Sequence, residues 1–187
     1  MTDTILYATL ILPARKAGER LARRHQSAAA QRLLEVLGDG FAAHTKTVSH
    51  SRHAIAAAVG DAVGLSLGID IEWMCPDRPF AAIAGLLLDP PPAQIGAAEF
   101  YRGWTFSEAW FKAFQRLPPE RDLRAIVTRP ACNDVQDLPD GAQFLQLVIA
   151  GEFQLSLVWR APTLQTCLRR DVSDELARIQ RAAAAGC

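Results

Sequence analysis

Two short segments of this 187-residue chain carry charged side chains whose types and spacing could do chemistry. Residues 68–72 (GIDIE) predict a strand on which Asp70 and Glu72 share one face, because side chains alternate along a strand. Residues 104–112 (WTFSEAWFK) predict a helix on which Glu108 and Lys112, four positions apart, also share one face. Paired carboxylates suit Mg²⁺, which also takes phosphate oxygens. The two segments together predict a divalent cation held beside a phosphate-bearing substrate.

A third segment, Ser49-His50-Ser51, lies at the end of a short predicted strand. Imidazole, hydroxyl and backbone N–H groups all bind phosphate oxygens. No Gly-x-Ser-x-Gly elbow surrounds either serine, so the triplet is not interpreted as part of a hydrolase triad. Each segment alone has a simpler explanation: acids at a strand end in solvent, a surface ion pair on a helix, and a structural histidine. The functional interpretation therefore depends on their combination.

The pattern of the whole chain predicts elements that would position these residues. Strands are predicted at 4–12, 47–49, 123–128, 144–149 and 153–159, with a hairpin formed by 53–59 and 65–72. Helices are predicted at 14–37, 79–88, 97–115 and 171–185. There is no regular strand–helix–strand alternation, which favours an α+β fold. We expect two pseudo-repeated halves, 1–61 and 62–187, each with a small, mostly antiparallel sheet packed on a long helix.

Composition limits the classes of partner. The chain has 20 basic and 20 acidic residues, so no overall field favours nucleic acid or a membrane surface. The first 60 residues hold eight bases against four acids, and the rest hold twelve against sixteen. A basic half facing an acidic half would suit an anionic ligand bridged to a cation; alternatively, most of the bases between Arg15 and Arg32 form the solvated face of one helix.

Cysteine usage and hydropathy predict the compartment. The four cysteines are widely spaced and form no C-x-x-C pair, so we expect reduced thiols. No secretory signal begins the sequence, and no apolar run is long enough to span a membrane. The expectation is a cytoplasmic protein, and a chain of two fused halves would work as a monomer.

The order and spacing of the three segments are more specific than any one of them. His50 precedes Asp70 by 20 residues, and Glu72 precedes Glu108 by 36. In this arrangement the chain resembles the 4′-phosphopantetheinyl transferases, in particular the monomeric, surfactin-synthetase-activating type. The resemblance covers about residues 46–115.

The resemblance implies transfer of the 4′-phosphopantetheine arm of coenzyme A to a serine of an apo acyl or peptidyl carrier protein, with release of 3′,5′-ADP. The carrier would belong to a fatty-acid, polyketide or peptide synthase. Asp70, Glu72 and Glu108 would hold Mg²⁺ or Mn²⁺, and Glu108 would help to deprotonate the carrier serine. Lys112 would neutralise the pyrophosphate. His50, with Ser49 and Ser51, would hold a phosphate of coenzyme A, the co-substrate.

The chain departs from the family pattern in three ways. Ser107 stands where the family usually has Lys, the family's Lys-Pro segment is replaced by LGDGF at residues 37–41, and the first half is short. These departures leave open a non-catalytic relative that binds coenzyme A or a carrier protein. A further alternative is an unrelated metal-dependent hydrolase that uses the same carboxylates.

Overall fold

The computed structural model describes residues 3–13, 20, 22–85, 87–89, 95–129, 132–162, 165–170, 172 and 177. In this part of the chain the fold is α+β, with two four-stranded sheets and four helices. The strands are β1 (Asp3–Ile11), β2 (Thr45–Ser51), β3 (Ala54–Gly60), β4 (Ser66–Trp73), β5 (Gln136–Asp137), β6 (Gln143–Ile149), β7 (Phe153–Arg160) and β8 (Gln165–Arg169). The helices are α1 (Arg23–Gly38), α2 (Phe80–Ala84), α3 (Ala97–Phe114) and α4 (Glu120–Thr128).

Each sheet has its own strand order. The first runs β2-β3-β1-β8, in which β8 is parallel to β1 and the other pairs are antiparallel. The second runs β4-β7-β6-β5 and is antiparallel throughout. Thus β2 is an edge strand of the first sheet and β4 is an edge strand of the second. The candidate site lies where these two edges meet.

Three apolar clusters form the core. The first joins both sheets, with Ala56 of β3 in the same cluster as Ile69 of β4 and Leu157 of β7. In the second, Leu33 of α1 packs with Ile55 of β3. The third joins α3 and α4 to β6 and β7. Because alternate residues of β3 belong to different clusters, both faces of that strand are buried, and all seven of its residues are buried.

Helix α3 lies unusually close to β4. A Cβ atom at Gly68 would lie 1.9 Å from the carbonyl oxygen of Ala109 and 2.8 Å from the amide nitrogen of Ala113. Only a residue without a side chain permits this approach. The contact places the helix face that bears Glu108 and Lys112 over the strand face that bears Asp70 and Glu72.

The predicted strand at 123–128 is wrong: this segment belongs to helix α4. The run of Ile126, Val127 and Thr128 favours a strand locally, but Leu123, Ile126 and Val127 fall on one helical face, which packs in the α3–α4 cluster. Arg102 of α3 donates to the carbonyl oxygens of Val127 (3.1 Å) and Arg129 (3.0 Å) at the end of this helix. Tertiary contacts thus override the local preference.

The predicted hairpin of 53–59 with 65–72 is also wrong. Strand β3 pairs with β2 and β1, whereas β4 pairs with β7. The hairpin is formed instead by β2 and β3, and its turn contains Arg52, with φ of +58°. The segment after Gly60 crosses to the other sheet, because β3 already has a neighbour on each side.

The remaining elements agree with prediction to differing extents. Strand 4–12, helix 97–115 and the hairpin of 144–149 with 153–159 are confirmed as β1, α3 and β6–β7. Strand 47–49 extends over the whole of β2, and helix 79–88 contracts to α2. Helix 14–37 is described from Arg23 onward as α1, since residues 14–19 and 21 lie outside the described residues. Almost all of predicted helix 171–185 also lies outside them.

Searched over the described residues, the helices include none that is both long and apolar enough to cross a membrane.

Candidate functional site

The centre of the candidate site is the Asp70 carboxylate. Its Oδ1 atom accepts hydrogen bonds from Lys112 Nζ on α3 (2.8 Å) and from Ser49 Oγ on β2 (2.7 Å). Lys112 Nζ also donates to the Ile69 carbonyl oxygen (2.9 Å). These contacts bring together all three segments that the sequence singled out, although they join residues 21 and 42 positions apart.

The second carboxylate oxygen of Asp70 is buried and has no hydrogen-bond partner among the described residues. The residue is only 5% exposed. Burial raises the pKa of Asp70, and the ammonium of Lys112, the hydroxyl of Ser49 and the backbone amide of Ile71 oppose that rise only in part. A buried oxygen without a partner is costly to stability, and a bound cation or hydrogen-bond donor would remove that cost. Asp70 therefore has the character of a ligand-binding group.

Glu72 is held in the same way, two residues further along β4. Ser51 Oγ donates to Glu72 Oε2 (2.8 Å) and accepts from the Trp73 amide (3.1 Å). Burial raises the pKa of Glu72, and the neighbouring Asp70 charge raises it further. Asp70 and Glu72 thus form an electrostatically coupled pair on one strand face, as predicted.

Glu108, on α3, is a third carboxylate that interacts electrostatically with Asp70. Its side chain is exposed, one helical turn before Lys112. The pKa of Glu108 is raised, first by partial desolvation and then by the charge of Asp70, while Lys112 opposes the rise. A raised carboxyl pKa moves the group toward the range in which it exchanges protons at neutral pH.

Four hydroxyl side chains form a row on β2, of which the sequence predicted a role for Ser49 and Ser51, as phosphate binders, and none for Thr45 and Thr47. Thr45 donates to the Leu65 carbonyl (3.2 Å), and Thr47 accepts from the Ile69 amide (3.3 Å). Ser49 and Ser51 continue the row at the same spacing of two. The alternation T-x-T-x-S-x-S, which a strand would place on one face, was the available signal. The row accepts hydrogen bonds from the Ile69 and Trp73 amides at the open edge of β4 and donates to both of its carboxylates.

The Ser-His-Ser triplet is divided between the two faces of β2. Because side chains alternate, His50 lies on the face opposite to Ser49 and Ser51. It is exposed and is paired in register with Ile55, which packs in the α1 cluster. The two serine hydroxyls point to Asp70 and Glu72. A phosphate contact of His50 remains a prediction.

Two arginines lie near the end of β4, and neither was among the predicted site residues. The guanidinium of Arg52 lies 4.9 Å from the centre of the Trp73 ring, and that of Arg78 lies 5.4 Å from the Tyr101 ring. The Arg78 charge also acts on Glu72, whose pKa it lowers in opposition to burial. The site therefore has cations near the end of β4 as well as on α3.

Ser107 lies on another side of α3. Around the helix axis, its side chain is rotated by roughly 100° from that of Glu108. Its buried hydroxyl has no partner among the described residues and lines a cavity of about 280 Å³. Leu87, Leu88 and Leu123 contribute to the same cavity. A lysine at this position, as the resembled family has, would therefore extend toward α4.

The donor set suits Mg²⁺ or Mn²⁺, because hard cations prefer carboxylate oxygens and Asp70 offers one that is buried and unpaired. In the described part of the chain, no three His, Cys, Asp or Glu side chains converge as a ready metal site. A cation bound at Asp70 and Glu72 would need Glu108, water or substrate oxygens to complete its shell.

No protein-family model matches this chain, and no curated protein matches it significantly. The resemblance to phosphopantetheinyl transferases therefore depends on the three sequence segments alone.

Proposed function

We propose that this protein is an enzyme that transfers the 4′-phosphopantetheine arm of coenzyme A to a serine of an apo carrier protein. The observation that carries the proposal is the meeting of Ser49, Asp70 and Lys112 around one buried carboxylate. Three segments that resemble the transferase motifs in sequence thus contribute to a single site. A chance likeness of short segments would not require them to meet.

In the proposed reaction the carrier serine Oγ forms a bond to the phosphorus that bears the pantetheine arm. The bond from that phosphorus to the bridging pyrophosphate oxygen breaks, and 3′,5′-ADP leaves. Glu108 receives the serine proton, a role that its raised pKa favours. A divalent cation held by Asp70 and Glu72, with Glu108 directly or through water, would supply charge neutralisation at the pyrophosphate.

Positive side chains of this chain would bind the anionic co-substrate. Lys112 is a compact point charge suited to the pyrophosphate. Arg52 lies over Trp73 at the end of β4, and the charge of Arg78 acts on Glu72. We include His50 as a binder of a coenzyme A phosphate on the exposed face of β2. Catalysis would then depend on position and charge, with no covalent enzyme intermediate.

We further propose that the chain consists of two related halves, 1–61 and 62–187. Support comes from the packing of α1 with β3 and of α3 with β4, while the site lies where β2 meets β4. Strand β8 of the second half joins the sheet of the first. A single chain would supply every site residue, so we propose a monomer. We place it in the cytoplasm, where carrier proteins of fatty-acid, polyketide and peptide synthases would be its partners.

The test is intact-mass spectrometry of several apo carrier proteins incubated with this protein, coenzyme A and Mg²⁺. We expect a gain of about 340 Da, the mass of the transferred arm, on at least one carrier, and no gain with chelator. Asp70→Asn should lower the initial rate by about 100-fold or more, equivalent to about 2.7 kcal/mol in the barrier.

Asp122→Asn is the matched control. Asp122 is also buried, is paired with an arginine and has a carboxylate oxygen without a described partner, but it belongs to α4. Equal loss of activity in the two variants would remove Asp70 from the mechanism. Loss of coenzyme A without modification of any carrier would favour the hydrolase.

The second candidate function is a non-catalytic module that binds coenzyme A or a carrier protein. The observation that favours it is that Lys112 already neutralises Asp70, while no three acidic side chains converge among the described residues. Calorimetry separates the candidates. Binding of coenzyme A that is unaffected by Mg²⁺, with no mass gain on any carrier, would support the module and contradict the transferase.

A further inference from the structure

We propose that Lys112 and a divalent cation compete for Asp70, so that cation binding releases the lysine ammonium toward the phosphate substrate. This inference rests on the divalent-cation site of the proposed function. It predicts that the Lys112 ammonium and a divalent cation exchange places on the Asp70 carboxylate.

The first step is the occupancy of Asp70. Its Oδ1 atom already accepts from both Lys112 and Ser49, and its Oδ2 atom is buried with no partner among the described residues. A cation on the free oxygen would lie close to the Lys112 ammonium in a poorly solvated position. Like charges repel strongly where water is excluded. Each cation therefore weakens the binding of the other to Asp70.

The second step is that Lys112 is the group able to leave. Its side chain is 30% exposed, whereas that of Asp70 is 7% exposed. It extends from the last turn of α3, and its other described contact is one carbonyl, that of Ile69. A long, flexible lysine can reach solvent or an anionic ligand without movement of the helix. Gly68 meanwhile keeps α3 in contact with β4.

The third step concerns the other charges around Asp70. Glu72 is on the same strand and Glu108 is on α3, and both interact electrostatically with Asp70. Arg78 acts on Glu72, and Ser49 and Ser51 approach from β2. When Lys112 leaves Asp70, the three acidic side chains carry more negative charge than the positive charge of Arg78 can balance. This net negative charge would attract a divalent cation more strongly than a monovalent one.

The exchange has a functional consequence. Without the cation, Lys112 neutralises Asp70 and is withheld from a phosphate substrate. With the cation bound, the ammonium is free to contact that substrate. Cation binding would thus place two positive groups where they can contact the substrate: the cation held by Asp70 and the released ammonium of Lys112.

The experiment measures cation binding and the lysine ammonium directly, without coenzyme A or carrier. Free Mn²⁺ is followed by electron paramagnetic resonance. We expect Lys112→Met to tighten Mn²⁺ binding by about tenfold, equivalent to 1.4 kcal/mol, because the competing charge is gone. Lys46→Met, the same substitution at an exposed lysine on the face of β2 opposite the Ser49 and Ser51 hydroxyls, should change the affinity by less than about threefold.

The side-chain ¹⁵N signal of Lys112 is the second readout. It is assigned by its loss in Lys112→Met, and we expect saturating Mg²⁺ to shift or broaden it, whereas K⁺ at equal ionic strength does not. If Lys112→Met fails to fold, Lys112→Gln removes the charge while keeping a donor for the Ile69 carbonyl.

Two results would overturn the inference. One is saturation by Mg²⁺ with an unchanged Lys112 signal, since both cations would then share Asp70. The other is Mn²⁺ binding that Asp70→Asn does not weaken. Failure of carrier modification in the mass assay would leave these binding results intact, so the two proposals can fail separately.

Discussion

At the scale of single residues, the site depends on carboxylates that are expensive to bury. Burial raises the pKa of Asp70, and Lys112 and Ser49 oppose that rise only in part. Proteins tolerate such groups where function needs them, at a cost to stability. The candidate site should therefore show a trade-off between stability and activity at Asp70.

We expect Asp70→Asn to raise the free energy of unfolding at neutral pH while it lowers activity. The pKa of Asp70 is raised above 3.8 in the folded state by burial, so the folded protein binds a proton more readily than the unfolded chain. Wild-type stability from this group is present below pH 3.8 and is lost as pH rises through the raised pKa. Asparagine does not ionise and retains an oxygen that accepts from Ser49 and Lys112.

Urea denaturation of both proteins over a range of pH measures this effect. The difference in unfolding free energy should be smallest in acid and should grow as pH rises. An asparagine variant that is less stable than wild type at neutral pH would show that the ion pair with Lys112 outweighs burial.

At the scale of elements, β2 and β4 are joined by side chains, not by a backbone ladder. Unpaired amides at the edge of a sheet invite pairing with other chains. Here the hydroxyls of Thr47 and Ser51 accept from the amides of Ile69 and Trp73. The same row also orients the carboxylates of β4, because Ser49 and Ser51 donate to Asp70 and Glu72. A continuous backbone ladder would not provide these side-chain contacts.

Thr47→Val should lower the free energy of unfolding by about 1–3 kcal/mol, because the Ile69 amide would lose its partner at nearly constant side-chain volume. Thr128→Val is the control. Thr128 is exposed and its hydroxyl bonds within its own helix, so a change within about 0.5 kcal/mol is expected. Equal losses of unfolding free energy in urea denaturation would show that the Thr47 hydroxyl contributes no more to stability than an exposed helical one.

Gly68→Ala should separate α3 from β4. The added methyl group would lie 1.9 Å from the Ala109 carbonyl oxygen, so the helix must move, and we expect a loss of about 3 kcal/mol or more. Gly38→Ala is the control, since a Cβ there meets nothing within 4 Å. Thermal unfolding compares them. A Gly68→Ala protein as stable as wild type would refute the close contact.

At the scale of the whole molecule, the first and last strands of the described chain lie side by side in one sheet. Strand β8, near the end of the described chain, pairs in parallel with β1 at its beginning. Cys167 of β8 is opposite Ile5, and its thiol is half-buried beside the cluster that joins both sheets. Attachment of β8 is therefore linked to the integrity of the central core.

The Cys167 thiol should report this pairing. Burial raises its pKa to about 12, so it remains a protonated, weakly reactive thiol in the folded protein at pH 9. We expect alkylation of Cys167 by iodoacetamide to be at least about tenfold slower in native than in urea-unfolded protein. Peptide mass spectrometry measures both rates. Equal rates would indicate that β8 detaches readily.

The limits of prediction differ between elements. Helix α3 and the β6–β7 hairpin have strong local periodicity, and both were predictable from sequence. Helix α4 has a β-branched run that favours a strand, and only its packing on α3 and β6 makes it helical. The partner of β3 was predicted wrongly because neighbouring strands in sequence were assumed to pair, whereas five residues suffice for the chain to cross between sheets.

The candidate site shows the same division. The carboxylates and the lysine could be chosen from sequence, because their spacing of two and four is a local property of strands and helices. The partners of Asp70 could not, because Ser49 and Lys112 are 21 and 42 residues away. Thr45 and Thr47 were passed over because a hydroxyl carries no charge, and Ser49 and Ser51 were assigned to a phosphate because their contacts with Asp70 and Glu72 join residues 21 positions apart.

The sequence by itself determined the types of chemical group, their local spacing and the long periodic elements, because these depend on interactions within a few residues. Only the tertiary structure decided which strands are neighbours, that Lys112 reaches Asp70 and that the Ser49 and Ser51 hydroxyls point to carboxylates. It also decided the burial that raises the pKa of Asp70, Glu72 and Glu108. Desolvation and ion pairing arise from contacts between distant parts of the chain, so no local pattern contains them.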